Sequence, residues 1–210
     1  MTSSSASLAP RALLFIGDSI TDAGRRQDPE QLGHGYVRLL AEHFAAHEPT
    51  ATVINRGIGG DKVADLEARF DSDCLDLAPD AVTIFVGVND AWHRFTRGEQ
   101  ITEESFEAGY RHLLEQLAAA APGVPVVLII PVVADIDDQA LRIHSDLDGK
   151  VAIIRSLARE HGHRIVDLEQ VLASALAAGH RPRDIAEDGV HPTPAGHRLI
   201  ADAWLEAVGR

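Results

Sequence analysis

A chain of 210 residues with 45% hydrophobic and 24% charged residues has the composition of one globular domain with a full core, not of a disordered segment. Asp and Glu number 32 against 19 Lys and Arg, a formal net charge of -13. That excess excludes a general nucleic-acid binder, whose phosphate contacts need a basic surface, and argues against adhesion to an anionic membrane.

Residues 1–10 (MTSSSASLAP) read as a disordered N-terminal tail, leaving 11–210 as a single domain. The tail has neither the basic start nor the apolar core of a secretory signal, and no apolar run in the chain nears the ~20 residues of a membrane span. The expected location is therefore the cytoplasm, and the lone Cys74 excludes an internal disulfide.

Ala12–Ile16 is a short apolar run ending at Gly17, as a buried strand should be. Tyr36–His47 follows as a helix with Val37, Leu40 and Phe44 on one face. Thr52–Asn55 reads as a second strand and Lys62–Phe70 as a helix burying Val63, Leu66 and Phe70. Ala81–Val86 is the third strand. Glu103–Ala121 is a helix burying Phe106, Tyr110, Leu113, Leu114 and Leu117. Val124–Ile130 is the fourth strand, stopped by Pro131. Pro131–Ser145 has no clear period and reads as a substrate-facing loop or a plain connection. Leu147–His161 is helical, Arg164–Asp167 is a weak fifth strand, and Pro194–Val208 is the last helix.

Strands alternating with amphipathic helices predict βαβ crossovers. The fold class is therefore α/β: a three-layer α/β/α sandwich with about five parallel strands. Ligands of such sheets sit beyond the carboxyl ends of the strands. Three short motifs lie there. Gly17-Asp18-Ser19-Ile20 follows the first strand and can set Ser19 at a helix start, either as a nucleophile or as an N-cap. Asn55-Arg56-Gly57-Ile58-Gly59-Gly60-Asp61 follows the second. Its glycines let backbone N–H groups approach a ligand, yet it lacks GxxxxGK[ST] and GxGxxG. Gly87-Val88-Asn89-Asp90 follows the third and can offer a side-chain amide. A fourth motif, Asp188-Gly189-Val190-His191-Pro192, precedes the last helix. There a carboxylate can meet His Nδ1 across one turn and leave Nε2 as a base. Singly, each of these also reads as a turn or cap. Together they supply a nucleophile, oxyanion donors, a base and its orienter, the parts of acyl transfer.

In these four blocks, in this order, the sequence resembles the GDSL/SGNH hydrolases, from Leu14 to the C-terminal helix. The resemblance implies a flavodoxin-like SGNH fold. It implies Ser19 as nucleophile and first oxyanion donor, the Gly60 N–H as second donor and the Asn89 side chain as third. His191 would be the base and Asp188 its orienter, with no metal and no organic cofactor. Ile20 stands where the family usually has Leu. The stretches Phe15–Asp22, Gly33–Val37, Gly87–Trp92 and His191–His197 are similar to the bacterial carbohydrate acetylesterase branch, which includes xylan acetylesterases. That implies an acetylated small-molecule or oligosaccharide substrate and a homo-oligomer. Some members of the branch carry an aromatic before the catalytic Asp, where this chain has Glu187.

Asp18 and Trp92 are expected among the substrate contacts. Trp92 and Phe95 read as an apolar cleft wall, a sugar platform or packing under the loop. Arg56 reads as the partner of an acid and His197 as structural, while His34 and His93 carry no role. Other functions of the same chain would be a lysophospholipase or thioesterase, or a binding module.

Overall fold

A computed structural model describes residues 12–210, so the expected tail at 1–10 lies outside the described residues. Five strands form one sheet: β1 (Ala12–Gly17), β2 (Thr52–Gly57), β3 (Ala81–Phe85), β4 (Val126–Ile130) and β5 (Arg164–Asp167). Their order is β2-β1-β3-β4-β5 and every pairing is parallel. Every residue of β3 and β4 is buried, as an unbroken apolar run requires when both faces of a sheet are covered.

Nine α-helices complete the described fold: α1 (Ser19–Asp22), α2 (Tyr36–His47), α3 (Val63–Asp73), α4 (Val88–Thr96), α5 (Glu103–Ala120), α6 (Asp138–His161), α7 (Leu168–Ala177), α8 (Pro182–Ile185) and α9 (Pro194–Val208). Helices α3, α5 and α6 pack side by side, as do α2 and α9, with α7 and α8 against α9. The sheet lies between the two groups, which is the expected three-layer sandwich. Its densest aromatic contact involves Phe15 of β1, whose ring centroid lies 5.9 Å from Tyr36 of α2 and 5.4 Å from Trp204 of α9. The buried indole N–H of Trp204 donates to Thr83 Oγ1 at 3.0 Å, so the core has no unpaired donor there.

The chain winds from β1 outward to β2, then returns past β1 to β3. That reversal opens a crevice beyond the ends of β1 and β3, where ligands of doubly wound sheets bind. The turn out of β1 depends on Gly17, because a Cβ there would stand 2.1 Å from the Phe85 carbonyl oxygen.

Four elements differ from expectation, the shortest being α8, a single turn that marks no period. Helix α4 has no apolar stripe in sequence because its buried residues include Asn89, Asp90 and His93. Helix α7 is not among the expected elements, although Leu168, Val171, Leu172, Ala175 and Leu176 recur at helical spacing; of these Leu168 and Ala175 are buried. Helix α6 begins at Asp138, not Leu147, so only the first half of Pro131–Ser145 is loop. The Asp137 side chain starts that helix by accepting from the N–H groups of Gln139 and Ala140.

Candidate active site

The nucleophile candidate opens α1. The cap of that helix is Asp18, whose Oδ1 accepts from Ile20 N–H at 2.9 Å. Ser19 is therefore relieved of capping, and its Oγ lies 2.9 Å from His191 Nε2. His191 Nδ1 lies 2.7 Å from Asp188 Oδ2. The other oxygen of Asp188 accepts from the backbone N–H groups of His191 at 2.7 Å and Val190 at 2.9 Å. Partial burial pushes the Asp188 carboxyl up. The bonds from the His191 ring and these two N–H groups outweigh it and hold the carboxyl below its ordinary value. An ionised Asp188 fixes Nδ1–H on the imidazole and leaves Nε2 to accept from Ser19.

Three candidate donors sit at the strand exits. Ser19 is the first residue of α1, so its N–H has no intrahelical acceptor. Gly60 lies in the loop after β2 with φ of 89°, a conformation that disfavours any residue with a Cβ. The neighbouring N–H of Gly59 is taken by Asp22 Oδ2 at 3.1 Å and that of Asp61 by the Ile58 carbonyl at 3.3 Å. The N–H of Gly60 donates to nothing among the described residues. Asn89, at the start of α4 and 3% exposed, donates from Nδ2 to the Asp61 carbonyl at 3.0 Å. That bond ties the third loop to the second and leaves one amide hydrogen for a ligand. The hydroxyl–imidazole–carboxylate relay and these three unpaired or part-used N–H groups are of the kinds that ester cleavage needs for its nucleophile, base and tetrahedral oxyanion.

Two supports gave no sequence signal. Arg69 of α3 donates to Asp61 at 2.8 Å, to the Arg56 carbonyl at 2.8 Å and to the Gly17 carbonyl at 3.1 Å. One guanidinium thus ties the exits of β1 and β2 to the glycine loop. In sequence Arg69 is only a polar position of an amphipathic helix. Asp22 joins α1 to the same loop through Gly59. Asp90 is buried, and burial pushes its carboxyl up to about 7; its oxygens accept from Val63 N–H at 3.3 and 3.4 Å.

One expected contact is corrected. Asp18 is 0% exposed, and burial pushes its carboxyl up to about 7. A side chain sealed beneath α1 offers no surface to a substrate, so it acts as a cap. Trp92 does reach the site: its ring lies 5.3 Å from that of His191, tilted by 58°. Phe95 is exposed and has Arg94 over its ring. Arg56 lies 3.8 Å from Asp73, the acid partner expected of it. His197 Nδ1 accepts from Tyr36 N–H at 3.2 Å, and burial, then the nearby His191, pushes its ring down to about 4. It is a neutral structural histidine. His34 is exposed, and His93 is buried with Nδ1 3.8 Å from Glu99. Among the described residues His144, Asp148 and Glu169 could hold a metal ion, their ligand atoms lying within 4.8 Å of one another. Two of them are already engaged, Glu169 with Arg155 at 2.6 Å and His144 with Asp135 at 2.8 Å.

Comparison with known proteins shows the family. The model of the GDSL-like lipase/acylhydrolase family matches residues 15–199. The chain is 33% identical over 209 residues to an acetylxylan esterase from Geobacillus stearothermophilus, covering 94% of this chain and 93% of that one. The crystal structure of that esterase superposes with a TM-score of 0.84 at 30% identity, over 95% of this chain and 94% of the other. Catalytic mutants of it replace a serine, an aspartate or a histidine with alanine. An alpha/beta hydrolase from the metagenome of Lake Arreo, Spain, superposes with a TM-score of 0.84 at 31% identity over 95% of both chains.

Proposed function

Because this chain belongs to the GDSL-like lipase/acylhydrolase family and is a carboxylic ester hydrolase, we propose that it removes acetyl groups from carbohydrate hydroxyls through an acyl-enzyme. The observation that carries the mechanism is the continuous relay from Asp188 through His191 to Ser19, with links of 2.7 and 2.9 Å. Similarity to an acetylxylan esterase supports the substrate.

Ser19 Oγ attacks the acetyl carbonyl as His191 Nε2 takes its proton. Asp188 holds the imidazolium through Nδ1–H. The carbonyl oxygen gathers negative charge and accepts from Ser19 N–H, Gly60 N–H and Asn89 Nδ2. Collapse breaks the bond to the sugar oxygen, which receives the proton from Nε2. Water then attacks the acetyl-serine, passes a proton to Nε2, and releases acetate and Ser19. Every proton moves through His191, so the step calls for no metal or organic cofactor. A single hydrolase domain over residues 11–210 and a homo-oligomer belong to the same reading.

The test is a p-nitrophenyl ester series from acetate to decanoate, with acetylated xylosides alongside, run on the native chain and Ser19→Ala. The reading expects a sharp preference for acetate, turnover of the xylosides, and loss of both in the variant. A preference for decanoate would move the substrate to long acyl chains, and native-like turnover by Ser19→Ala would remove the mechanism.

A further inference from the structure

An ester has two halves, and the site assigns them different sides. The acyl oxygen belongs with the donors of Ser19, Gly60 and Asn89, while the departing oxygen must face His191 Nε2 to take its proton. The alcohol half therefore lies on the His191 side. There the structure has a pocket of about 340 Å³ between α4, the start of α6 and the segment before Asp188. Its size falls within the roughly 300–1,000 Å³ of small-molecule sites.

Resting on the acetylated-sugar reading above, we propose that this pocket is the subsite for the sugar leaving group, with Trp92 as its platform. Trp92 bridges the two spaces, because it touches the His191 ring and also lines the pocket. It stands three residues after Asn89 on α4, so one helix face carries both an oxyanion donor and the platform. Ile136 and Ile143 add apolar lining. Gln139 and Glu187 line it too; both are exposed, and neither side chain has a hydrogen-bond partner among the described residues. Arg183 donates from one nitrogen to the Glu187 carbonyl at 2.9 Å, which steadies the segment leading to Asp188.

This lining selects its ligand. A pyranose has apolar C–H faces that suit an indole and hydroxyl edges that donate to carboxylate and amide oxygens. A fatty chain would be asked to desolvate Gln139 and Glu187 without compensation. A phosphate-bearing alcohol would meet three carboxylates, those of Asp137, Glu187 and Asp188, against the single guanidinium of Arg183. A neutral sugar is the alcohol that matches. The pocket also gives a role to the first half of the 131–145 stretch, which supplies Ile136 and Asp137.

The experiment compares kcat/KM for xylose tetraacetate with that for methyl acetate, whose alcohol is too small to reach the pocket, in a pH-stat. The variants are Gln139→Trp, which fills the pocket from an exposed position, and Glu187→Ala, which removes an acceptor. Each is expected to lower the sugar-to-methyl ratio about tenfold or more, the scale of a specificity contact. For Glu187→Ala the loss should fall in KM. A ratio unmoved in both variants, in an enzyme that still deacetylates the sugar, overturns the subsite alone. A native enzyme that hydrolyses methyl acetate but not xylose tetraacetate overturns the sugar reading and the subsite with it.

Discussion

The two halves of the proposed site are built in opposite ways. The donor half is assembled from three strand exits and locked by contacts between residues far apart in the chain. Asn89 is 3% exposed and bonds across to Asp61, while Arg69 binds Gly17, Arg56 and Asp61 together. The relay half is local. Asp188 binds residues two and three positions ahead of it, and the Asp188 and His191 side chains remain 48% and 44% exposed. Oxyanion donors act only if their dipoles are fixed before charge develops, so they gain from a rigid, buried frame. The base must exchange protons with serine, leaving group and water, and it gains from access to all three.

Substitutions can break this contrast. The largest effect is expected at the point where the halves meet. Ser19→Ala removes the nucleophile and should lower kcat by roughly 10³-fold or more, read by steady-state hydrolysis of p-nitrophenyl acetate. Asn89→Ala removes one donor and should cost on the order of 10²-fold in kcat. A rise in KM at constant kcat would mean that Asn89 binds ground state only.

Arg69→Met sharpens the comparison, since it touches no substrate. Losing charge-assisted bonds of roughly 1.5–3 kcal/mol each should lower Tm and also kcat, by loosening Gly60. If Tm falls and kcat holds, the glycine loop keeps its shape without the arginine. The relay half, held by its own short turn, should be insensitive to that change. Alkylation of His191 by a histidine-directed reagent should proceed at the native rate in Arg69→Met.

The last effect concerns pH and stability rather than turnover. Burial lowers the His197 ring to about 4 in the folded state, against an ordinary value near 6.5. Below 6.5 the unfolded chain binds the proton and the folded chain does not, so this group favours unfolding as pH falls. Its contribution is complete above 6.5 and is lost progressively down to about 4, up to about 3 kcal/mol in all. Urea unfolding at stepped pH should show that slope, and His197→Gln should flatten it.

The sequence placed the five strands within two residues of their ends: β1, β3 and β4 as largely apolar buried runs, and the edge strands β2 and β5 by short β-branched stretches beside them. It also placed Ser19, Gly60 and Asn89 at strand exits and set Asp188 one turn before His191, since those relations are local or follow from strand order. Helix α4 escaped it because its buried face is largely polar, while α7, whose apolar spacing was legible, is a short helix directly continuous with β5. Asp18 was misplaced because an aspartate before a helix looks the same whether it faces solvent or lies sealed beneath the chain.

The sequence by itself therefore determined the layered α/β fold, the order of the four motifs and the chemistry their side chains can perform. Only the tertiary structure decided that Asp18 is a buried cap, that Trp92 lies against His191, and that Arg69 and Asp22 fasten the glycine loop. Periodicities of two and 3.6 residues, and turn chemistry, are properties of neighbouring residues and can be read along a chain. A contact between residues 52 apart, such as Arg69 with the Gly17 carbonyl, exists only once strands and helices have packed.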